Sequence, residues 1–107
     1  MKINLDSLLT DLDGQPIREK DKDLKIFQVV AKVLSTSQVD GESVKAWDLA
    51  LKFWGGAPVE IDDSDLSFVR GLVERSPWVA MIKGQVLKEL DDQKLAAKSV
   101  DQAAAKA

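Results

Sequence analysis

The stretch "VKAWDLALKFWGGAP", residues 44 to 58, decides the fold class. At 100° per residue, Val44, Trp47, Leu51 and Trp54 form one seam, and Ala46, Leu49, Ala50 and Phe53 extend it. Together they cover roughly 220° of a helix. Lys45, Asp48 and Lys52 make the only polar stripe. The spacing predicts a helix over about 41–54 with Asp40 as N-cap. Its stop is well marked, because Gly55-Gly56 can supply the left-handed residue past the C-terminus and Pro58 blocks continuation.

The same periodicity recurs on both sides. Upstream, a helix is expected from about Asp23 to Ser35, capped by Asp21 or Asp23. Leu24, Ile26, Phe27, Val29, Val30, Ala31, Val33 and Leu34 again span roughly 220°. Downstream, Val59 and Ile61 alternate like a two- or three-residue strand. A third helix is predicted over about 64–75, capped by Asp62 or Asp63 and buried through Leu66, Val69, Leu72 and Val73. Ser76-Pro77 reads as a restart, with Ser as N-cap and Pro at the first helical position. The fourth helix, about 77–91, packs through Val79, Ile82, Val86, Leu87 and Leu90. Residues 93–107 form an Ala-rich tail that frays or extends that helix. At the other end, "KINLDSLLTDLDGQPI" places Asp13-Gly14 between short apolar runs, a signal for a small β-hairpin. Pro16 keeps its second arm short or at an edge, and "REKDKD" follows as a charged loop. The expectation is a mainly α, compact four-helix domain over residues 1–92, with an N-terminal hairpin and a short third strand.

Composition narrows the function classes. The 107 residues are enough for one domain, and 45% hydrophobic with 31% charged residues is ordinary for a folded protein. Lys+Arg 15 against Asp+Glu 18 gives a net charge of -3, mixed and of the wrong sign for a general nucleic-acid binder. The absence of cysteine excludes disulfides and thiol catalysis, and the absence of histidine removes the commonest general base and metal ligand. No apolar run approaches membrane-spanning length and no signal-peptide core opens the chain, so the expected location is cytoplasmic.

Several motifs imitate chemistry. "LLTDLDGQPI", residues 8 to 17, is similar to the D-x-D-x-[TV] of haloacid-dehalogenase-type phosphatases through Asp11 and Asp13. Gln15 stands where the hydroxyl residue belongs, and no parallel sheet is available to complete that site. Read as a calcium loop, the segment puts Leu9 and Lys20 at ligand positions, where neither supplies an oxygen from its side chain. Both readings fail, and the segment is a turn. "IDDSD", residues 61 to 65, is explained by carboxylates at a helix start. "FWGGAP" follows a helix C-terminus, where the dipole repels phosphate. A helix-turn-helix reading of the third helix has Arg70 and Arg75 in its favour, but Asp62, Asp63 and Asp65 crowd the end that would approach DNA. No catalytic, cofactor or metal site is expected, and neither a nucleic acid nor a membrane as partner.

Two helices apolar around more than half their circumference are hard to hide in so small a domain. In one reading the second helix is central and the first lies beneath the hairpin. In the other, part of this surface waits for a protein partner, or for another copy in a homo-oligomer. Leu49, Phe53, Trp54 and Trp78 are the candidate partner-binding residues, since tryptophan is enriched among interface anchors.

The order of parts resembles small uncharacterised proteins encoded by tailed bacteriophages and prophages. The likeness runs through "DLDGQPI", "VVAKVL", "AWDLALKFW", "VEIDDSDLSFV" and Gly84-Gln85, over roughly residues 3 to 90. It departs in the tryptophan-rich second helix and the Ala-rich tail. The resemblance implies a non-enzymatic phage or prophage assembly chaperone or structural accessory, and it transfers no catalytic residue. The alternative is a small phage or bacterial regulator that binds a host protein of the transcription or defence machinery.

Overall fold

The computed structural model describes residues 2–19, 21–39 and 41–106, with side chains as far as residue 96. In chain order the elements are β1 (Lys2–Ile3), β2 (Arg18–Glu19), β3 (Lys22–Asp23), α1 (Ile26–Thr36), α2 (Ser43–Trp54), β4 (Val59–Glu60), α3 (Asp63–Arg75) and α4 (Ala80–Lys106). The fold is thus mainly helical, with two small antiparallel ladders, β1–β4 and β2–β3.

The Asp13-Gly14 turn forms. Gly14 takes φ 81°, and the Asp11 carboxylate accepts from the backbone N–H groups of Asp13 and Gln15 at 2.9 and 3.0 Å. Asp11 therefore serves as an Asx-turn anchor, as short carboxylates commonly do. The ladder behind this turn is shorter than the sequence suggests, a single Thr10–Pro16 bridge. The chain then swings away, and the expected charged loop is itself the hairpin β2–β3. Arg18 lies opposite Asp23, with an ion pair of 3.6 Å, and Asp21 takes the left-handed turn position at φ 64°. Asp tolerates that conformation better than most residues. β1 pairs instead with β4, which sets the buried side chains of Ile3 and Val59 opposite each other.

The first helix begins at Ile26, later than expected, because Asp21 and Asp23 belong to the hairpin. Its orphan N–H groups find other acceptors. Ile26 and Phe27 donate to the carbonyls of Ser7 and Leu5, and the Gln28 amide accepts from the Lys25 N–H at 3.0 Å. The N-terminal segment thus caps the helix with its own backbone. Asp40, expected as a cap of the second helix, lies outside the described residues; α2 starts at Ser43, with Glu42 in the N-cap position. Asp62 caps α3 as expected, accepting from the Asp65 N–H at 2.7 Å.

The Ser76-Pro77 restart is not a helix start. Ser76 closes α3, its hydroxyl donating to the Val73 carbonyl at 2.6 Å, and α4 begins only at Ala80. Residues 77–79 form a connector that packs Trp78 against the core and leaves Val79 exposed. From there α4 runs unbroken through the alanine-rich tail and buries Ile82, Val86 and Leu90.

α1 is the central helix. It packs against α2, α3 and α4, and buries Ile26, Val29, Val30, Ala31, Val33 and Leu34. The reading with α2 at the centre is therefore reversed: α2 packs chiefly on α1 and reaches α3 through Lys45, which pairs with Asp65 at 3.4 Å and sits over the Phe68 ring. Two glutamines of α4 tie down the N-terminal segment. Gln85 accepts from the Thr10 N–H at 3.0 Å and donates to the Thr10 carbonyl at 2.7 Å. Two helical turns on, Gln93 does the same to Asn4, at 3.3 and 3.0 Å. Each side-chain amide imitates a strand neighbour for one residue of irregular backbone.

Candidate functional site

The peripheral position of α2 gives it two apolar faces with different fates. Ala46, Leu49, Ala50 and Phe53 recur at helical spacing and are buried, the last three within the core that α1 centres. Two alanines keep that face narrow, and Phe53, 1% exposed, fills the core near the C-terminal end. The remaining apolar seam points away: Val44 is 75% exposed, Trp47 54%, Leu51 55% and Trp54 56%.

Between this seam and α1 lies an open groove of about 380 Å³, lined by Ala31, Lys32, Ser35, Trp47, Ala50, Leu51 and Trp54. Its α1 edge carries Lys32, held by an ion pair of 2.8 Å to Glu19 of the β2–β3 hairpin. The far edge of the seam borders the polar stripe of Lys45, Asp48 and Lys52. An apolar strip of three helical turns with charged margins is built like an interface core with its rim.

The four candidate partner-binding residues are separated by the fold. Leu49 and Phe53, 3% and 1% exposed, are core residues and cannot touch a partner. They occupy the face that α1 covers, which is the physical reason for the correction. Trp54 belongs to the exposed seam. Trp78 is half-buried in the wall of a different depression, of about 1170 Å³, where Val39, Phe68 and Leu72 mix with Glu42 and Arg75. Val44, Trp47 and Leu51 replace the two core residues as candidates. The signal for this choice was present in the alanines: Ala46 and Ala50 mark the closely packed face, so the bulky residues on the other side are the ones left out.

No family model, curated protein or solved structure matches this chain.

Arg70, singled out in the sequence, has structural employment. Arg70 forks onto Asp91 of α4, with Nε to Oδ1 at 2.8 Å and Nη2 to Oδ2 at 3.3 Å, and also reaches Glu74 at 3.0 Å. The hydrogen bond from Arg70 holds the Asp91 carboxyl below its ordinary value, although partial burial works the other way. Its guanidinium thereby ties α3 to α4. Among the described residues, no three carboxylates gather to hold a metal ion, and no helix is long and apolar enough to cross a membrane.

Proposed function

We propose that this protein works by docking another protein through the α2 seam, with no catalysis of its own, as an assembly chaperone or structural accessory of a tailed phage or prophage. The observation that carries this reading is the exposure of Val44, Trp47, Leu51 and Trp54 along one face of a well-anchored helix. Two half-exposed tryptophans on a rigid element are costly to leave in water, and they are the side chains that most often anchor an interface. The phage setting is supported by the pattern shared with phage-encoded proteins from "DLDGQPI" to Gly84-Gln85. Within that pattern, Gln85 has a structural task, since it clamps Thr10.

The test is affinity capture from an induced prophage lysate, comparing the wild-type protein with Trp47→Ser/Trp54→Ser. Head or tail components should be retained by the wild type and lost with the variant, which should still unfold in a single cooperative thermal transition well above the capture temperature. Equal capture by both proteins would remove the seam from the account. Capture of host polymerase or nuclease subunits would replace assembly with regulation.

A further inference from the structure

The seam has a property beyond its exposure. Its residues fall at 44, 47, 51 and 54, a 3-4-3 spacing that reads the same in both directions. That is the a/d spacing with which one helix meets another. Reversal about a point near residue 49 exchanges 44 with 54 and 47 with 51. An antiparallel second copy would set Val44 against Trp54 and Trp47 against Leu51, and each pairing occurs twice. Every layer then joins one indole to one aliphatic side chain, so the layers are of similar width. A parallel copy would stack tryptophan on tryptophan in two layers and leave narrow Val–Val and Leu–Leu layers between them. Close packing favours the first arrangement.

The margins agree. Near the two-fold axis, each Asp48 would face the Asp48 and the Lys52 of the other copy, so two negative and two positive charges share that flank. On the α1 side, the small residues Ala31, Ser35 and Ala50 leave the recess of about 380 Å³ into which an indole of the other copy can settle. The four seam residues expose roughly 450 Å² of largely apolar area per copy. A standard stable interface takes about 800 Å² per partner, and the edges of α1 and the polar stripe would contribute the rest.

Resting on the docking reading above, we infer that the occupant of the α2 seam is a second copy of this chain, running antiparallel about a two-fold axis beside residues 48–50. An interface near or below the standard size, with two indoles per copy as its anchors, is expected to dissociate in the micromolar range.

Sedimentation equilibrium from about 10 to 500 µM brackets that range and should show a monomer–dimer transition. Trp47→Leu should weaken it about 30-fold, the loss expected of an interface anchor. Leu51→Trp should weaken it by crowding two indoles into each central layer. The double variant Trp47→Leu/Leu51→Trp restores unequal pairs and should recover most of the dimer, which no heterologous partner would require. Asp48→Cys, in a chain otherwise free of cysteine, should cross-link to itself under mild oxidation. A monomer throughout this range, or a dimer indifferent to the size swap, overturns the inference. A photo-cross-linker at Leu51 separates the two failures. If the protein is monomeric and the cross-linker captures a different protein in lysate, self-pairing falls and docking stands. If it captures nothing, both fall.

Discussion

The Gln85 clamp supplies a prediction whose size and pH dependence both follow from geometry. Gln85 makes two hydrogen bonds to the backbone of Thr10, one as acceptor and one as donor. Each is worth about 0.5–1.5 kcal/mol net. Thr10 is half-buried, so water can partly replace a lost partner. Gln85→Ala should therefore cost about 1.5 kcal/mol, toward the lower part of the summed range. For a domain of this size that lowers Tm by about 6 °C. Gln93→Ala, whose bonds to Asn4 are exposed, should cost about half as much or less.

Gln85→Glu is the sharper variant. The acceptor facing the Thr10 N–H survives, but an ionised oxygen replaces the amide donor and points at the Thr10 carbonyl. At pH 7 the variant should be at least as destabilised as Gln85→Ala. The protonated carboxyl can donate again, so its pKa in the folded state lies above the unfolded value of about 4.3. A raised folded pKa means that stability is fully present below the unfolded value and is lost as pH rises through the folded one. Urea melts of wild type, Gln85→Ala and Gln85→Glu at pH 7 and near pH 4 test this. The gap between the Glu variant and wild type should narrow on acidification, while the gap for the Ala variant stays level. A Glu variant as stable as wild type at pH 7, or one whose deficit ignores pH, would refute the two-pronged clamp.

Three further outcomes are expected. Phe53→Ala should cost about 3–5 kcal/mol in urea unfolding and Trp54→Ala clearly less, about 1–2 kcal/mol, although the residues are adjacent, because the first is fully enclosed and the second is 56% exposed. Gly56→Ala should cost about 1–2 kcal/mol by the same assay, since its φ is +76° and a Cβ there would meet the Phe27 ring at 3.3 Å. Asp91, whose pKa is lowered chiefly by its hydrogen bond from Arg70, contributes stability above its unfolded pKa that disappears as pH falls through the folded value. Asp91→Asn should therefore flatten the acid limb of stability against pH. The effect should stay below about 1 kcal/mol, because both partners are more than one-third exposed.

Much of the architecture was legible because local chemistry and tertiary structure agree. The Asp62 cap, the Gly56 stop, the Asp13-Gly14 turn and the short strand at Val59 each rest on a residue with few alternatives. The misreadings occur where tertiary contacts override a local signal. Asp23 looks like a helix cap, but the carbonyls of Leu5 and Ser7 receive the first N–H groups of α1. Ser76-Pro77 looks like a helix start, but the connector carries Trp78 against the core before α4 can begin. The strand at Val59 was legible but its partner was not: residues 2–3 pair with 59–60 from about half the chain away, and nothing local in either segment names the other.

The candidate surface illustrates a more general limit. The width of an apolar arc measures how much of a helix wants cover, and it is silent about which sector receives it. That choice depends on which helix is central. α1 is covered from several directions and can bury nearly its whole arc; α2, packed on one side only, must divide its arc between core and solvent. The division falls where side-chain size places it. Ala46 and Ala50 are small enough to sit on the covered face, Leu49 and Phe53 fill the core beside them, and the tryptophans lie on the opposite side, half in solvent. Once α2 is peripheral, Trp47 and Trp54 face outward because the alanines face inward. Replacing buried Ala46, which borders no groove, by leucine would strike at this logic directly: overpacking beneath α2 should cost about 1–3 kcal/mol, whereas leucine at exposed Val44 should leave stability within about 0.5 kcal/mol. Equal tolerance at the two positions would mean that the faces had been assigned the wrong way round.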